Sequence, residues 1–104
     1  MKALVSVAIA AGLLFSASAF AADEEALMKA KGCIACHKID AKLIGPSYKE
    51  VAVKYAGQKD VVANLSEKVI KGGVGVWGQV PMTPNATVNA DEAKRLVTWI
   101  LSLK

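Results

Sequence analysis

Apolar residues near the end of the chain recur at helical spacing and predict its clearest helix. Asn89, followed three residues later by Glu92, is typical of a capping box, in which each side chain bonds the backbone N–H of the other residue. Beyond this cap, one helical face is apolar and carries Leu96, Trp99, Ile100 and Leu103. We therefore predict a helix that begins just after Asn89 and buries this face.

Three further helices are predicted upstream. Asp23-Glu24-Glu25 opens the first, because acidic side chains favour the positive end of a helix, and this helix runs towards Cys33. Ser47 is placed to cap the second, which ends at Gly57. Asp60 is placed to cap the third, which ends at Gly72-Gly73. The apolar positions of the second and third helices are Tyr48, Val51 and Tyr55, then Val61, Leu65 and Val69.

Residues 72–89 are rich in glycine and proline, and we expect them to form a long loop without regular structure. A loop of this length in a small domain is usually functional. No segment shows the alternation of a strand, so the predicted fold class is all-α, with four short helices.

The first residues indicate a secretory signal peptide. A positive start at Lys2 precedes an apolar stretch from Ala3 to Phe15, and Ala19-Phe20-Ala21 is a cleavage site of small residues. We expect cutting before Ala22, with a cut after Ala19 or an uncleaved membrane anchor as alternatives. The mature chain, residues 22–104, is then one small domain, and a domain of this size usually needs a disulfide, a metal or a similar staple.

The arrangement of the basic residues argues against a nucleic-acid partner. Its 13 lysines and arginines exceed its 9 acidic residues, giving a formal net charge of +4. The basic residues form no adjacent block, and no nucleic-acid motif is present, so no nucleic-acid partner is predicted.

The only histidine and the only two cysteines stand together as Cys33-Ile34-Ala35-Cys36-His37. This run is C-x-x-C-H, the attachment signature of a covalently bound c-type haem. On one helical turn the two sulfurs can bond the porphyrin edge while His37 reaches the iron. The rival interpretation is a disulfide, or a thiol–disulfide enzyme, but such an enzyme usually needs a β-α-β context that is missing here.

A second axial ligand cannot be another histidine, which leaves a methionine, a lysine or an open position. Met28 lies close before Cys33 on the predicted first helix, and we expect it to be a core residue. Met82 lies in the long loop between Pro81 and Pro84, which restrict its backbone, and it is the predicted ligand. An apolar plug of the loop is the alternative role for Met82. His-plus-Met ligation fills both axial sites and leaves the iron only one-electron transfer.

Several motifs occur together and in order: C-I-A-C-H, Gly45-Pro46, V-W-G from Val76 to Gly78, and P-M-T-P-N from Pro81 to Asn85. With them, the mature chain resembles the short bacterial class I cytochromes c of the cytochrome c-551/c-552 (cytochrome c8) type. The resemblance implies a small cytochrome c fold wrapped around one covalently attached haem c, with a Met-bearing loop.

The resemblance also implies roles for residues around the haem. Pro46 matches a proline whose carbonyl accepts a hydrogen bond from the haem histidine, and Trp77 a tryptophan that donates to a haem propionate. Asn85 matches an asparagine that contacts the methionine sulfur. The alternative for Pro46 is an ordinary Gly-Pro turn, for Trp77 packing alone, and for Asn85 an ordinary turn asparagine. The chain departs from the pattern at Lys68, where relatives often carry arginine, and at Thr83, where proline is common.

We therefore expect a periplasmic, monomeric electron carrier, not an enzyme, that stays free of the membrane after signal cleavage. The resemblance implies a quinol-oxidising complex or dehydrogenase as donor and a terminal reductase or oxidase, such as nitrite reductase or a haem–copper oxidase, as acceptor, met in transient contacts. Lysines near the attachment turn could steer acidic partners or be ordinary solvated surface: Lys31, Lys38, Lys42 and Lys49. A haem with an open iron, used for sensing or peroxidase chemistry, is the alternative.

Overall fold

The computed structural model describes the chain from residue 16 to residue 103, with side chains from residue 23. The helices are α1 (Ser16–Ala30), α2 (Tyr48–Lys54), α3 (Val61–Lys71) and α4 (Ala90–Leu101), and a single 3₁₀ turn covers Cys33–Ala35. The four predicted helices are confirmed. Most of the predicted signal peptide, including the side chains at its cleavage site, lies outside the described residues.

The last helix builds the core. Asn89 and Glu92 form the predicted capping box, with each side chain bonded to the other residue's backbone N–H. Leu96 and Ile100 pack against Met28 of α1 and Tyr48 of α2, so Met28 is a core residue as expected. The Trp99 and Tyr48 rings meet edge to face at a centroid distance of 6.1 Å. Tyr48 is therefore tied to both α1 and α4.

The helix starts are predicted with mixed success. Ser47 caps α2, because its hydroxyl accepts a hydrogen bond from the Glu50 N–H. Asp60 does stand at the start of α3, but its φ of 60° is left-handed and its side chain makes no capping bond, so that prediction is wrong. The first helix begins at Ser16 rather than at Asp23, so the acidic run lies inside α1 and not at its positive end.

The prediction that residues 72–89 lack regular structure is also wrong. Strands β1 (Gly73–Gly75) and β2 (Gly78–Met82) pair antiparallel around a turn at Val76 and Trp77. Gly75 and Gly78 have φ of 106° and 112°, values that only glycine adopts readily, so these glycines make the reversal rather than prevent it. The sheet has two strands only, and an edge strand tolerates Pro81. The domain remains mostly helical.

Two ion pairs join α4 to the first part of the chain, one to α1 and one to the residue that follows it. The Arg95 guanidinium donates to one oxygen of the buried Glu24 carboxylate, at 2.6 and 3.1 Å. Lys31 Nζ lies 3.4 Å from the Glu92 carboxylate and donates to the Thr87 carbonyl at 2.7 Å. From residue 16 to residue 103, no helix has the length and apolar content needed to cross a bilayer.

Candidate functional site

The 3₁₀ turn sets the position of His37. Its backbone N–H donates to the Cys33 carbonyl at 3.0 Å, which closes the C-x-x-C-H turn. The ring Nδ1 lies 2.8 Å from the Pro46 carbonyl oxygen. A carbonyl only accepts, so Nδ1 carries the proton and Nε2 keeps the lone pair that a metal needs. The contact implied for Pro46 is thus present.

Two neighbours of His37 were missed at the level of sequence. A Cβ on Gly45 would lie 2.6 Å from Cε1 of the imidazole, so only glycine lets the ring approach the backbone this closely. The Tyr48 ring stacks on the imidazole with centroids 5.1 Å apart and planes inclined by 22°. Tyr48 was predicted as a core residue only. It links the imidazole to the core beneath it.

The Cys33 and Cys36 side chains are half-buried and are not joined in a disulfide. Burial raises the pKa of the Cys33 thiol above its ordinary value, and the neighbouring Tyr48 hydroxyl offsets this only in part. Burial also raises the pKa of Tyr48, and the nearby Cys33 adds to the effect. The Tyr48 hydroxyl therefore stays protonated at neutral pH. In the part of the chain that the structure describes, no three His, Cys, Asp or Glu side chains converge to hold a metal ion.

Met82 is the last residue of β2 and is half-buried. Its carbonyl lies against the backbone of Gly72, where a Cβ would collide with it. Asn85 fastens the following segment to α3: its backbone N–H donates to the Ile70 carbonyl at 3.1 Å and its side-chain amide to the Val69 carbonyl at 2.8 Å. Across residues 16–103, the bonds of this amide go to carbonyls and not to the Met82 sulfur. Asn85 thus anchors the loop through the backbone.

Trp77 lies at the tip of the hairpin and is 39 % exposed. The ammonium of Lys54, the last residue of α2, lies over its ring at 5.4 Å from the centroid. Lys68, which stands where relatives often carry arginine, packs its aliphatic stem against Gly73 of β1. The hairpin therefore meets cations from both α2 and α3.

Large apolar side chains are exposed in the segments that flank His37 and Met82. Ile34 is 47 % exposed inside the C-x-x-C-H turn, Ile44 is 57 % exposed in the loop after it, and Val80 is 63 % exposed beside Met82. Leu43, Val74 and Val76 in the same segments are also exposed. Single exposed apolar residues are ordinary, but several of them in the segments that carry the proposed ligands suit the apolar face of a large ring. These residues fit a haem.

A small helical domain with a C-x-x-C-H turn, and with exposed apolar side chains in the segments around His37 and Met82, defines the class of c-type haem proteins. The Cytochrome c family model matches residues 21–104. Cytochrome c-551 of Pseudomonas aeruginosa is 51% identical over 102 residues, which are 98% of this chain and 96% of that protein. Cytochrome c-552 of Hydrogenobacter thermophilus is 52% identical over 101 residues, covering 97% and 95%. The crystal structure of Nitrosomonas europaea cytochrome c552 superposes with a TM-score of 0.75 at 46% identity, over 77% of this chain and 99% of that chain.

The chain therefore belongs to the cytochrome c family. The predicted resemblance is confirmed, and with it the covalently bound haem c with its iron. The protein is an electron carrier and not an enzyme, so the thiol–disulfide interpretation of Cys33 and Cys36 is set aside.

Proposed function

We propose that this protein is a periplasmic monohaem electron shuttle in which Cys33 and Cys36 bind the haem by thioether bonds and His37 and Met82 are the axial iron ligands. The observation that carries the proposal is the geometry of His37, whose Nδ1 is occupied by the Pro46 carbonyl. Nε2 is then the one ring nitrogen able to bind iron.

When bound, the haem iron supplies a reversible one-electron change between its ferrous and ferric states. The protein's part is to keep the ligands still. The Pro46 carbonyl polarises the imidazole and raises its basicity. A thioether binds weakly, so Met82 depends on its backbone, which Gly72 and Asn85 fasten to the end of α3. With His37 and Met82 both holding the iron, oxygen and peroxide would find no vacancy there.

The proposed maturation removes residues 1–21 and leaves the domain at 22–104. The family model begins at residue 21, and 77% of this chain accounts for 99% of the Nitrosomonas europaea structure, which supports a domain without the leader. We place the mature monomer in the periplasm, in transient contact with a quinol-oxidising complex or dehydrogenase as donor and a terminal reductase or oxidase as acceptor. Brief contacts suit a carrier that must release each partner.

The test is the visible spectrum of the exported holoprotein, with and without carbon monoxide. We expect a low-spin ferrous spectrum, a weak sulfur-to-ferric-iron band and no response to carbon monoxide in the wild type. Met82→Ala should lose the sulfur band, bind carbon monoxide and show a lower reduction potential, because the thioether favours ferrous iron.

Met28→Leu is the matched control. It removes the other methionine of the mature domain from the buried core at nearly constant volume, so the spectrum should stay that of the wild type. A wild-type protein that already binds carbon monoxide would contradict His/Met ligation and favour a sensor or peroxidase. A sulfur band that is lost in Met28→Leu but kept in Met82→Ala would show that Met28 is the ligand and would contradict the proposal.

A further inference from the structure

Lys54 occupies a position between two aromatic rings. Its Nζ lies 5.4 Å from the centroid of the Trp77 ring and 5.9 Å from that of Tyr55. Both distances lie within the range of a cation–π interaction. Lys54 ends α2, whereas Trp77 is at the tip of the hairpin, so this contact joins two separate elements.

The two elements belong to opposite sides of the proposed site. Helix α2 begins with Tyr48, which stacks on the His37 ring. The hairpin ends in Met82, the proposed second ligand. A contact between α2 and Trp77 therefore fixes the Met82 side of the site relative to the His37 side.

The charges around Lys54 are balanced. One groove is lined by Asp40 and Glu50 as its acidic residues and by Lys49 and Lys54 as its basic ones, with Trp77 on its wall. Removing Lys54 leaves two carboxylates against one ammonium. A more negative surrounding favours ferric iron, because the ferric centre carries one more positive charge.

We propose that Lys54 is a positioning residue for electron transfer. Its ammonium holds the Trp77 indole between α2 and the hairpin tip. The proposal rests on the proposed function, since it takes His37, beside α2, and Met82, at the end of the hairpin, as the iron ligands.

The test uses the reduced holoprotein and two measurements: hydrogen exchange of the Trp77 indole N–H by NMR, and the midpoint potential. In Lys54→Met, exchange should be about two- to fivefold faster, the change expected for loss of an exposed cation–π contact, and the potential should fall. Lys54→Arg should restore both, because a guanidinium also stacks on aromatic faces. Lys49→Met is the matched control: it removes the same charge from the same groove and should leave the indole exchange unchanged.

An indole exchange rate in Lys54→Met that equals that of Lys49→Met would overturn the proposal, because both variants lose the same charge and only Lys54 contacts the ring. Faster exchange with no recovery in Lys54→Arg would overturn it too, because the cation would not be the cause. Failure of the proposed function is separable, since it would show as a wild-type protein without haem or without His/Met ligation before any Lys54 variant is made.

Discussion

Gly45→Ala tests how tightly the imidazole is held. An alanine Cβ would lie 2.6 Å from Cε1, 2.9 Å from Nδ1 and 3.2 Å from Nε2 of His37. All three distances are shorter than the ~3.5 Å at which non-bonded atoms attract. The ring has little freedom to withdraw, because Nδ1 is bonded to the Pro46 carbonyl and its face is stacked on Tyr48.

The expected cost follows from these contacts. Overpacking of a tight site costs about 1–3 kcal/mol, and a weakened hydrogen bond to Pro46 adds about 1 kcal/mol. We therefore expect the free energy of unfolding to fall by about 2–4 kcal/mol. A weaker hydrogen bond at Nδ1 also makes the imidazole a poorer electron donor to the iron. Ferric iron is then less stabilised, so the reduction potential should rise.

Urea unfolding of the ferric holoprotein gives the stability, and the Nδ1–H signal in NMR reports the Pro46 bond. Gly57→Ala is the control, because Gly57 has φ of +75° and a Cβ there meets no atom within 4 Å. Its cost, about 1–2 kcal/mol, is one of backbone conformation alone, and it should leave the Nδ1–H signal in place. A Gly45→Ala protein with wild-type stability and an unshifted Nδ1–H signal would refute the reasoning.

Three further outcomes follow from the caps and the Met82 loop. Asn89→Ala removes the capping bond to the Glu92 N–H and should lower the free energy of unfolding in urea by about 1 kcal/mol; an unchanged midpoint would contradict it. The Asn89 backbone N–H, helped by Lys31, lowers the pKa of Glu92. Since the pKa of Glu92 is lower in the folded than in the unfolded state, its contribution to stability is present above the unfolded pKa and is lost as the pH falls through the folded pKa. In this pH range the free energy of unfolding should depend less steeply on pH in Glu92→Gln than in the wild type. Equal slopes would contradict the assignment. Thr83→Pro should raise the free energy of unfolding by about 0.4–1 kcal/mol, because Thr83 follows the last paired residue of β2 and the extended Met82 suits a following proline; a lower melting temperature or loss of the sulfur band would oppose it.

The sequence was most informative where chemistry is local. The C-x-x-C-H run and the Asn89–Glu92 capping box each depend on residues within one turn, so spacing alone predicts them. Ser47 succeeded as a cap for the same reason. The prediction that Asp60 caps α3 was wrong because the Asp60 backbone is left-handed, which the residue type does not reveal.

The hairpin and the setting of His37 depend on contacts that spacing does not encode. Strands of three and five residues, G-V-G and G-Q-V-P-M, show no usable alternation. In the sequence Gly45 is only part of the Gly45-Pro46 motif, and the approach of the His37 ring shows why a side chain is excluded there. The two glycines on either side of V-W, Gly75 and Gly78, were the hint of a reversal in the sequence, and the structure gives both a positive φ.

The two sides of the proposed site are held in different ways. On the His37 side, Tyr48 stacks on the imidazole and is itself buried against Met28 and Leu96, so movement of the ring would disturb the core. On the Met82 side, β2 is exposed along most of its length and is fastened by backbone bonds at Asn85. A segment with few buried apolar contacts opens at a lower free energy than the core does. Restraints on the hairpin therefore matter most on this side, and they act through backbone stiffness at Pro81 and through the Lys54 contact at its tip, rather than through packing.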